Sequence, residues 1–249
     1  MISNRAQRKG CKDCQTPLDF EFSFAFQPIV NVREKSIFGY EALVRGIAGE
    51  SAYSVLSRVN DENRYAFDQT CRVKAITLAS HLGLDKVLSI NFLPNAVYEP
   101  EHCIQSTLQA ATETGFPINK LMFEITESEV VLDPAHLRNI FEHYEKQGFI
   151  TAIDDFGAGH AGFNMLANFI PQILKIDMEL VRNIDTNSVK QVLVKGLIDI
   201  CQQLSITVLA EGIETDAEML YFKSLNVELM QGYYFAKPGF QCLPDVQFS

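Results

Sequence analysis

The sequence predicts an α/β fold in which eight strands close into a barrel, the first two forming an antiparallel hairpin. Two observations carry this prediction. Short apolar, β-branched segments alternate with amphipathic helical segments over residues 20–249. The first two strand segments, 23–27 and 37–44, are also separated by only about nine residues, whereas a parallel crossover needs a dozen or more. That first pair is therefore predicted to be antiparallel.

The remaining elements alternate in chain order. Predicted helices lie at 51–59, 62–82, 100–114, 134–147, 187–204 and 215–225, and predicted strands lie at 87–91, 120–125, 149–154, 172–176, 206–210 and 227–231. Asp133 is a predicted N-cap before Pro134, and Thr215 with Glu218 has the spacing of a capping box. One apolar stripe is predicted on the helix at 187–204, formed by Val189, Leu193, Leu197, Ile200 and Leu204. The pattern as a whole predicts a modified (β/α)8 TIM-like barrel.

Composition limits the class of protein. The chain has 249 residues, of which 47% are hydrophobic, enough for one sizeable core. We expect a cytoplasmic protein, because no segment has the apolar length of a membrane span and the N-terminus lacks a signal-peptide pattern. Four scattered cysteines fit reduced thiols. The net charge of -10 argues against a nucleic-acid polymer as partner, but not against a small anionic substrate.

Residues 1–19 are predicted to be a flexible tail ahead of a barrel at 20–249. The tail holds Cys11 and Cys14 in a C-x-x-C pair. Half a zinc site, a redox pair and a passive tail are all compatible with this spacing.

The stretch Phe149–Gly159, F-I-T-A-I-D-D-F-G-A-G, carries the strongest chemical signal. Asp154 and Asp155 come directly after a buried strand and before a glycine-rich turn. Buried acids need a cation, and at the end of a strand the chain can bend so that both face one site. A simple polar turn is the alternative.

Polar residues also stand at the carboxyl ends of the other predicted strands. They are Glu41, Arg45, Asn91, Glu124, Lys175, Asp177, Glu211 and Gln231. In a barrel these ends meet at one rim, where carboxylates and an amide offer the oxygen ligands that Mg²⁺ or Mn²⁺ prefer. So many acids favour two ions, which could clamp a phosphodiester. Lys175 would stabilise transition-state charge or form a salt bridge with Asp177 or Glu211, and Arg45 would bind phosphate or pair with Glu41.

Seven motifs in order resemble the EAL domain family, bacterial phosphodiesterases that linearise cyclic di-GMP. They are Q-P-I, E-A-L-V-R, F-E-I-T-E, D-D-F-G, L-K-I-D, A-E-G-I-E-T and Q-G-Y-Y-F, spread over about residues 20–240. The resemblance implies a hairpin-started barrel, a site with two Mg²⁺ or Mn²⁺ ions, cyclic di-GMP as partner and a homodimer.

The resemblance also implies a role for each matched residue. Metal ligands would be Glu41, Asn91, Glu124, Asp154 as the bridging residue, and Asp155. Lys175 and Glu211 would be catalytic, Lys175 beside the attacking water and Glu211 as base or second-metal ligand. Substrate contacts would come from Gln27, Arg45, Asp68 and Gln231, and Glu127 would hold the loop after Asp155.

Two stretches depart from the commonest family pattern. Ala158, His160 and Ala161 stand where Thr, an aromatic residue and Ser are usual, and Leu93 replaces a Ser. His160 is interpreted as a loop residue. Since the metal ligands are all present, the first hypothesis is an active hydrolase giving linear pGpG. Because the loop is altered, a second hypothesis is a catalytically weak or inactive domain that acts as a cyclic di-GMP receptor.

Overall fold

The computed structural model describes residues 18–97, 99–126, 133–159 and 162–248. Its strands are β1 Ser23–Asn31, β2 Ser36–Arg45, β3 Val87–Asn91, β4 Leu121–Thr126, β5 Ile150–Phe156, β6 Ile173–Ile176, β7 Thr207–Ala210, β8 Leu229–Gln231 and β9 Gly239–Phe240. Its helices are α1 Ala52–Leu56, α2 Arg64–His81, α3 Pro100–Cys103, α4 Gln105–Thr114, α5 Pro134–Lys146, α6 Gly162–Asn168, α7 Met178–Val181, α8 Ser188–Gln203 and α9 Asp216–Ser224. Residues 1–17 of the predicted tail, with Cys11 and Cys14, lie outside the described residues.

The strands form a closed barrel. They are hydrogen-bonded in the order β2-β3-β4-β5-β6-β7-β8-β1, and β1 pairs back onto β2 to close the sheet. β1 runs antiparallel to both of its barrel neighbours, while the pairs from β2 to β8 are parallel. The predicted eight-stranded barrel with an antiparallel first hairpin is therefore confirmed. β9, which was not predicted, adds two residues beside β1.

The barrel interior is built in two layers by alternation along each strand. An apolar layer fills one end, formed by Ile29, Met122, Ala152, Ile173, Leu209 and Leu229. Because side chains two positions apart share a face, the residues two places further along the parallel strands also point inward. At those places β4 to β8 carry Glu124, Asp154, Lys175, Glu211 and Gln231, so the second layer is polar.

The predicted helix caps are present in the structure. Asp133 caps α5 by accepting from Ala135 N and His136 N, and Gly148 follows the helix with φ 92°. Other helices differ from the prediction. The helix predicted at 100–114 breaks at Ile104 into α3 and α4, and α6 and α7 were not predicted because both are short.

The apolar stripe predicted for α8 is only partly correct, because Leu197 packs on the barrel whereas other members of the stripe are exposed. Val189 and Leu193 are 67% and 57% exposed, and the face packed on the barrel is formed by Val194, Leu197, Ile198 and Cys201. Apolar residues cover more than half of the circumference of this helix, so the pattern alone could not decide which arc faces the barrel. An arc of apolar residues on α8, which includes Val189, Val192 and Leu193, therefore remains exposed.

The described cysteines, Cys71, Cys103, Cys201 and Cys242, are free thiols. Within the described ranges, the helices are all too short or too polar to cross a membrane.

Glu218 joins two loops at the polar end of the barrel. It completes the capping box with Thr215, and its carboxylate also accepts from Asn183 N at 2.8 Å and Glu214 N at 2.9 Å. Burial alone would raise the pKa of Glu218, but these backbone donors lower it below its ordinary value. The charged carboxylate therefore stabilises the fold above the unfolded pKa, and this contribution is lost as pH falls through the lower folded pKa.

We expect Glu218→Gln to lower the free energy of unfolding by about 1–3 kcal/mol at neutral pH, because a buried charged acceptor is weakened. The difference from wild type should shrink as pH falls below about 4.5, where the unfolded carboxyl is protonated. Urea titrations at several pH values measure both effects. Glu228→Gln is the control, since it breaks only an exposed pair with Arg33. An equal loss in both variants would contradict the role given to Glu218.

Candidate metal and substrate site at the carboxyl end of the barrel

The predicted rim residues converge on one cavity. It encloses about 590 Å³ at the carboxyl ends of the parallel strands. Of the predicted residues, those that line it are Gln27, Glu41, Arg45, Asp68, Asn91, Asp154, Asp155, Asp177, Glu211 and Gln231. Glu124 and Lys175 lie deeper, and each is 0% exposed. Glu127 and His160 lie outside the described residues.

Lys175 occupies the centre of the acidic cluster. Its Nζ is 2.8 Å from Glu211 Oε1, 2.9 Å from Asp154 Oδ1, 3.1 Å from Glu124 Oε2 and 3.6 Å from Glu41 Oε2. Burial alone would lower the pKa of Lys175, but these four carboxylates raise it well above its ordinary value. The side chain is therefore a fixed cation. The salt bridge to Glu211 that the sequence allowed is present, as one of four contacts.

The carboxylates around Lys175 repel one another. Burial, followed by the neighbouring acids, raises the pKa of both Glu124 and Glu211 well above the usual range. Burial and Asp154 likewise raise the pKa of Asp155 to about 6. If all of these acids were ionised, the cluster would carry more negative charge than Lys175 can compensate.

Asp154 and Asp155 face the same site although they are adjacent in a strand. Ile153 pairs with Leu174 and Phe156 with Ile176, so β5 has one extra residue against β6. This bulge coincides with Asp155, whose φ is 53°, in the left-handed region. The bend predicted from the sequence is therefore present. Asp is among the few residues besides Gly that adopt this conformation at modest cost.

Oxygen atoms of the acids form two overlapping groups. Glu41, Glu124 and Asp154 each place a carboxylate oxygen within 4.8 Å of the others, and so do Asp154, Asp155 and Glu211. Asp154 belongs to both groups. This arrangement can hold two neighbouring cations with one shared ligand.

Hydrogen bonds orient the remaining polar residues. Asn91 Nδ2 donates to Glu124 Oε1 at 2.9 Å and to Glu41 Oε1 at 3.2 Å, which places the amide beside the first group of oxygens. Gln231 Nε2 donates to Glu41 Oε2 at 2.8 Å and to Gln27 Oε1 at 3.3 Å. Gln231 Oε1 is buried and has no hydrogen-bond partner within the described part of the chain. It is an acceptor available to a ligand.

Ser89 is a site residue that the sequence analysis missed. Its hydroxyl donates to Glu124 Oε2 at 2.6 Å and its side chain is fully buried. It lies two positions before Asn91 on β3, so strand alternation could have placed it on the inner face. Two more predicted residues make contacts with the protein itself: Arg45 donates to Val44 O, and Asp68 accepts from Leu93 N.

Two glycines allow the segments that follow β6, β7 and β8 to pack closely against one another. A Cβ on Gly232, directly after Gln231, would lie 2.1 Å from Ile213 O. One on Gly212, directly after Glu211 and with φ 65°, would lie 2.4 Å from Met178 Cβ. Any larger residue at either place would displace a strand end that carries a site residue.

The donor set fits divalent cations. Five carboxylates against one ammonium leave a formal excess of four negative charges, which two divalent ions would balance. In both groups of described residues all the donors are carboxylate oxygen atoms. These features suit hard cations.

Fold and site together define an α/β-barrel protein with a carboxylate-lined pocket at the strand ends. The chain belongs to the EAL domain family, whose model matches residues 15–238, and the resemblance found in the sequence is confirmed.

Two solved structures are similar to this chain along nearly all of it. One is a standalone EAL protein from Vibrio cholerae O395 in its c-di-GMP bound form, 59% identical, with a TM-score of 0.90 over 93% of this chain and 98% of that one. The other is the manganese and cyclic di-GMP complex of BlrP1 from Klebsiella pneumoniae at pH 6. It is 33% identical, with a TM-score of 0.85 over 93% of this chain and 59% of that one.

Curated relatives from Escherichia coli K12 are more distant. The blue light- and temperature-regulated antirepressor BluF is 30% identical over 224 residues, covering 90% of this chain and 56% of BluF. The probable cyclic di-GMP phosphodiesterase PdeD is 28% identical over 231 residues, covering 88% of this chain and 42% of PdeD. The chain thus spans about half the length of the curated relatives it matches.

Asp154, the acid common to both oxygen groups, gives a direct test of cation binding. We expect Mg²⁺ or Mn²⁺ to raise the melting temperature of wild type, by an amount that corresponds to about 2.7 kcal/mol at 100 times the dissociation constant. Asp154→Asn should lose most of this shift, since both groups of oxygens lose a charged member. The wild-type shift should weaken below about pH 6, where protons compete for Asp155. Differential scanning fluorimetry measures each case.

Asp199→Asn is the matched control, because Asp199 is an exposed acid on α8, a helix packed on the outside of the barrel. Its shift should equal that of wild type. A full shift in Asp154→Asn would contradict the shared-ligand assignment.

Proposed function

We propose that this protein hydrolyses cyclic di-GMP to linear pGpG in a reaction that depends on two divalent cations, Mg²⁺ or Mn²⁺. The observation that carries the proposal is the overlap of the two carboxylate groups at Asp154, with Lys175 buried between them. Membership of the EAL domain family and similarity to a probable cyclic di-GMP phosphodiesterase support the same activity.

Glu41, Asn91, Glu124 and Asp154 would hold one cation, and Asp154 with Asp155 and Glu211 would hold the other. Bound cations would supply Lewis-acid stabilisation of the phosphodiester and an activated water. Lys175, whose Nζ lies 2.8 Å from Glu211 Oε1 and 2.9 Å from Asp154 Oδ1, would donate a hydrogen bond to the attacking water. The high pKa of Lys175 keeps it charged, which makes it a donor rather than a base.

Residues on the cavity wall would orient the substrate. Arg45 lies at the end of β2 and can present a fork to a phosphate. Gln231 offers its unpartnered oxygen to a donor such as a base N–H, while Gln27 fixes the amide of Gln231 from the other side. Asp68, which also lines the cavity, would accept a hydrogen bond from the substrate. These contacts hold the dinucleotide so that one phosphodiester faces the acids.

A cyclic di-GMP receptor with little or no turnover is the second candidate. Similarity to the antirepressor BluF favours it, since that relative is described as a regulator. The two functions differ in product formation. Purified protein is incubated with cyclic di-GMP and Mn²⁺ and the products are separated by chromatography: pGpG supports hydrolysis, while stoichiometric binding without product supports the receptor.

Lys175→Ala separates chemistry from binding within this experiment. We expect kcat to fall by roughly two orders of magnitude or more, with KM changed far less, because the lost charge acts mainly in the transition state. The melting temperature should also fall, since the carboxylates lose their buried partner, so the assay is run well below it. Lys120→Ala, at the opposite end of β4, is the control and should keep normal turnover.

Normal kcat in Lys175→Ala, together with a lower melting temperature, would show that Lys175 only stabilises the barrel. The proposed role in hydrolysis would then be wrong.

We further propose that the protein forms a homodimer through the exposed apolar arc of α8. Val189, Val192 and Leu193 are 67%, 73% and 57% exposed on one side of this helix. The arc continues through Ile200 to Leu204, where a groove opens toward α6. A helix that is apolar on two sides needs a second partner, and a second copy of the same face satisfies both chains.

Val192→Lys combined with Leu193→Lys should shift the protein from dimer to monomer, because the charges would be buried unpaired at the interface. Sedimentation velocity at several concentrations measures the change. Leu220→Lys is the control: this residue of α9 is 50% exposed but lies outside the arc, so the dimer should persist. A dimer that survives the double substitution would exclude this face.

A further inference from the structure

Arg72 is a buried charge that lies outside the acidic cluster. It projects from α2 and is 0% exposed. Its Nη2 forms an ion pair with Asp68 Oδ2, and its Nη1 donates to the hydroxyl of Tyr144 on α5 at 3.2 Å. The guanidinium carbon also lies 5.9 Å from the centre of the Phe123 ring. Burying a guanidinium costs free energy of folding, so a buried charge is stable here only with specific partners.

The partner of Arg72 reaches the cavity. Asp68 lines the cavity wall although it is only 2% exposed. Its Oδ1 accepts a hydrogen bond from Leu93 N at 2.9 Å. Leu93 also lines the cavity and stands two residues after Asn91. The carboxylate of Asp68 therefore connects the helix to the loop that follows a predicted metal ligand.

The two oxygens of Asp68 have separate partners. Arg72 engages Oδ2 and Leu93 N–H engages Oδ1, so rotation of the carboxylate would break both contacts. A charge-assisted pair with fixed geometry resists such rotation. Tyr144 holds the far side of the guanidinium, so Arg72 itself cannot turn away without losing a second contact.

We propose that Arg72 is a positioning residue that acts through Asp68 to fix the cavity wall beside Asn91, an inference that rests on the proposed function. Arg72 does not line the cavity. It holds Asp68 Oδ1 against the Leu93 amide. In this way it fixes the position of the loop after β3 and the orientation of the Asp68 carboxylate toward a ligand. Its effect is on ligand affinity, because the wall is formed before any bond is broken.

Hydrogen exchange at the Leu93 amide tests the positioning without any ligand. In Arg72→Met, which keeps the length of the side chain but removes its charge, exchange at Leu93 should rise by about tenfold or more relative to Val208 on β7. Tyr144→Phe, which leaves the ion pair intact, should raise it less. Lys74→Met removes another cation of α2, one that lies over Phe22, and should leave Leu93 unchanged. Unchanged exchange in Arg72→Met would overturn the proposal.

Affinity for cyclic di-GMP, measured by calorimetry in EDTA so that no ligand is consumed, gives the second readout. Arg72→Met should weaken binding by about tenfold, and Arg72→Met combined with Asp68→Asn should bind no more weakly than Asp68→Asn alone, since both act through one carboxylate. The double variant should regain melting temperature because no buried charge is left unpaired, but it should not regain affinity. Losses that add, or affinity that returns together with melting temperature, would overturn the proposal.

The same measurements remain informative if wild type does not bind cyclic di-GMP or if Arg72→Met does not fold. If wild type binds no cyclic di-GMP, the proposed function fails and the exchange at Leu93 alone decides the positioning role. If Arg72→Met does not fold, Arg72→Lys is measured in the same way. It keeps the charge but lacks the fork that reaches Asp68 and Tyr144 together, so it should show a smaller change of the same sign, and no change would overturn the proposal.

Discussion

Charge balance inside the barrel is the constraint on which the rest of this structure depends. Strand alternation places acids from several strands above an apolar layer, where their burial limits screening by water. Lys175 compensates part of that charge from the centre, in contact with four carboxylates. The negative charge that Lys175 leaves uncompensated would favour binding of divalent cations. Stability and chemistry are thus coupled, because the groups that cost folding energy are those that would bind the metal.

Much of the site could be predicted from the sequence because the barrel obeys simple geometry. Parallel strands bring their carboxyl ends to one rim, so Glu41, Asn91, Glu124 and Glu211 could be placed together from strand positions alone. Ser89 follows the same rule, but a single hydroxyl inside a strand carries no charge signal. Asp154 and Asp155 converge as predicted. The bulge and the left-handed conformation of Asp155 that bring them together depend on pairing with β6, which the local sequence does not show.

Other features depend on tertiary context that no local pattern contains. α8 is apolar on two sides, and only the position of the barrel decides that Val194 and Ile198 are covered while Val189 and Leu193 are exposed. Asp68 entered the sequence analysis by resemblance alone. Its partner Arg72 resembles an ordinary helical residue in the sequence, because the contact with Tyr144 of α5 exists only in the folded protein.

The pairing of β9 with β1 determines where the chain enters and leaves the barrel. Ala25 lies opposite Phe240, and Gln241 Nε2 donates to Ser23 Oγ at 2.8 Å. Because β1 runs antiparallel to its neighbours, Ser23 stands beside Arg45, at the open end of the cavity. A short linker between the stretch that precedes Ser23 and the stretch that follows Gln241 would therefore permit circular permutation, with new termini at a distant loop. A reporter domain inserted in that linker would sit at the pocket end of the barrel rather than behind it.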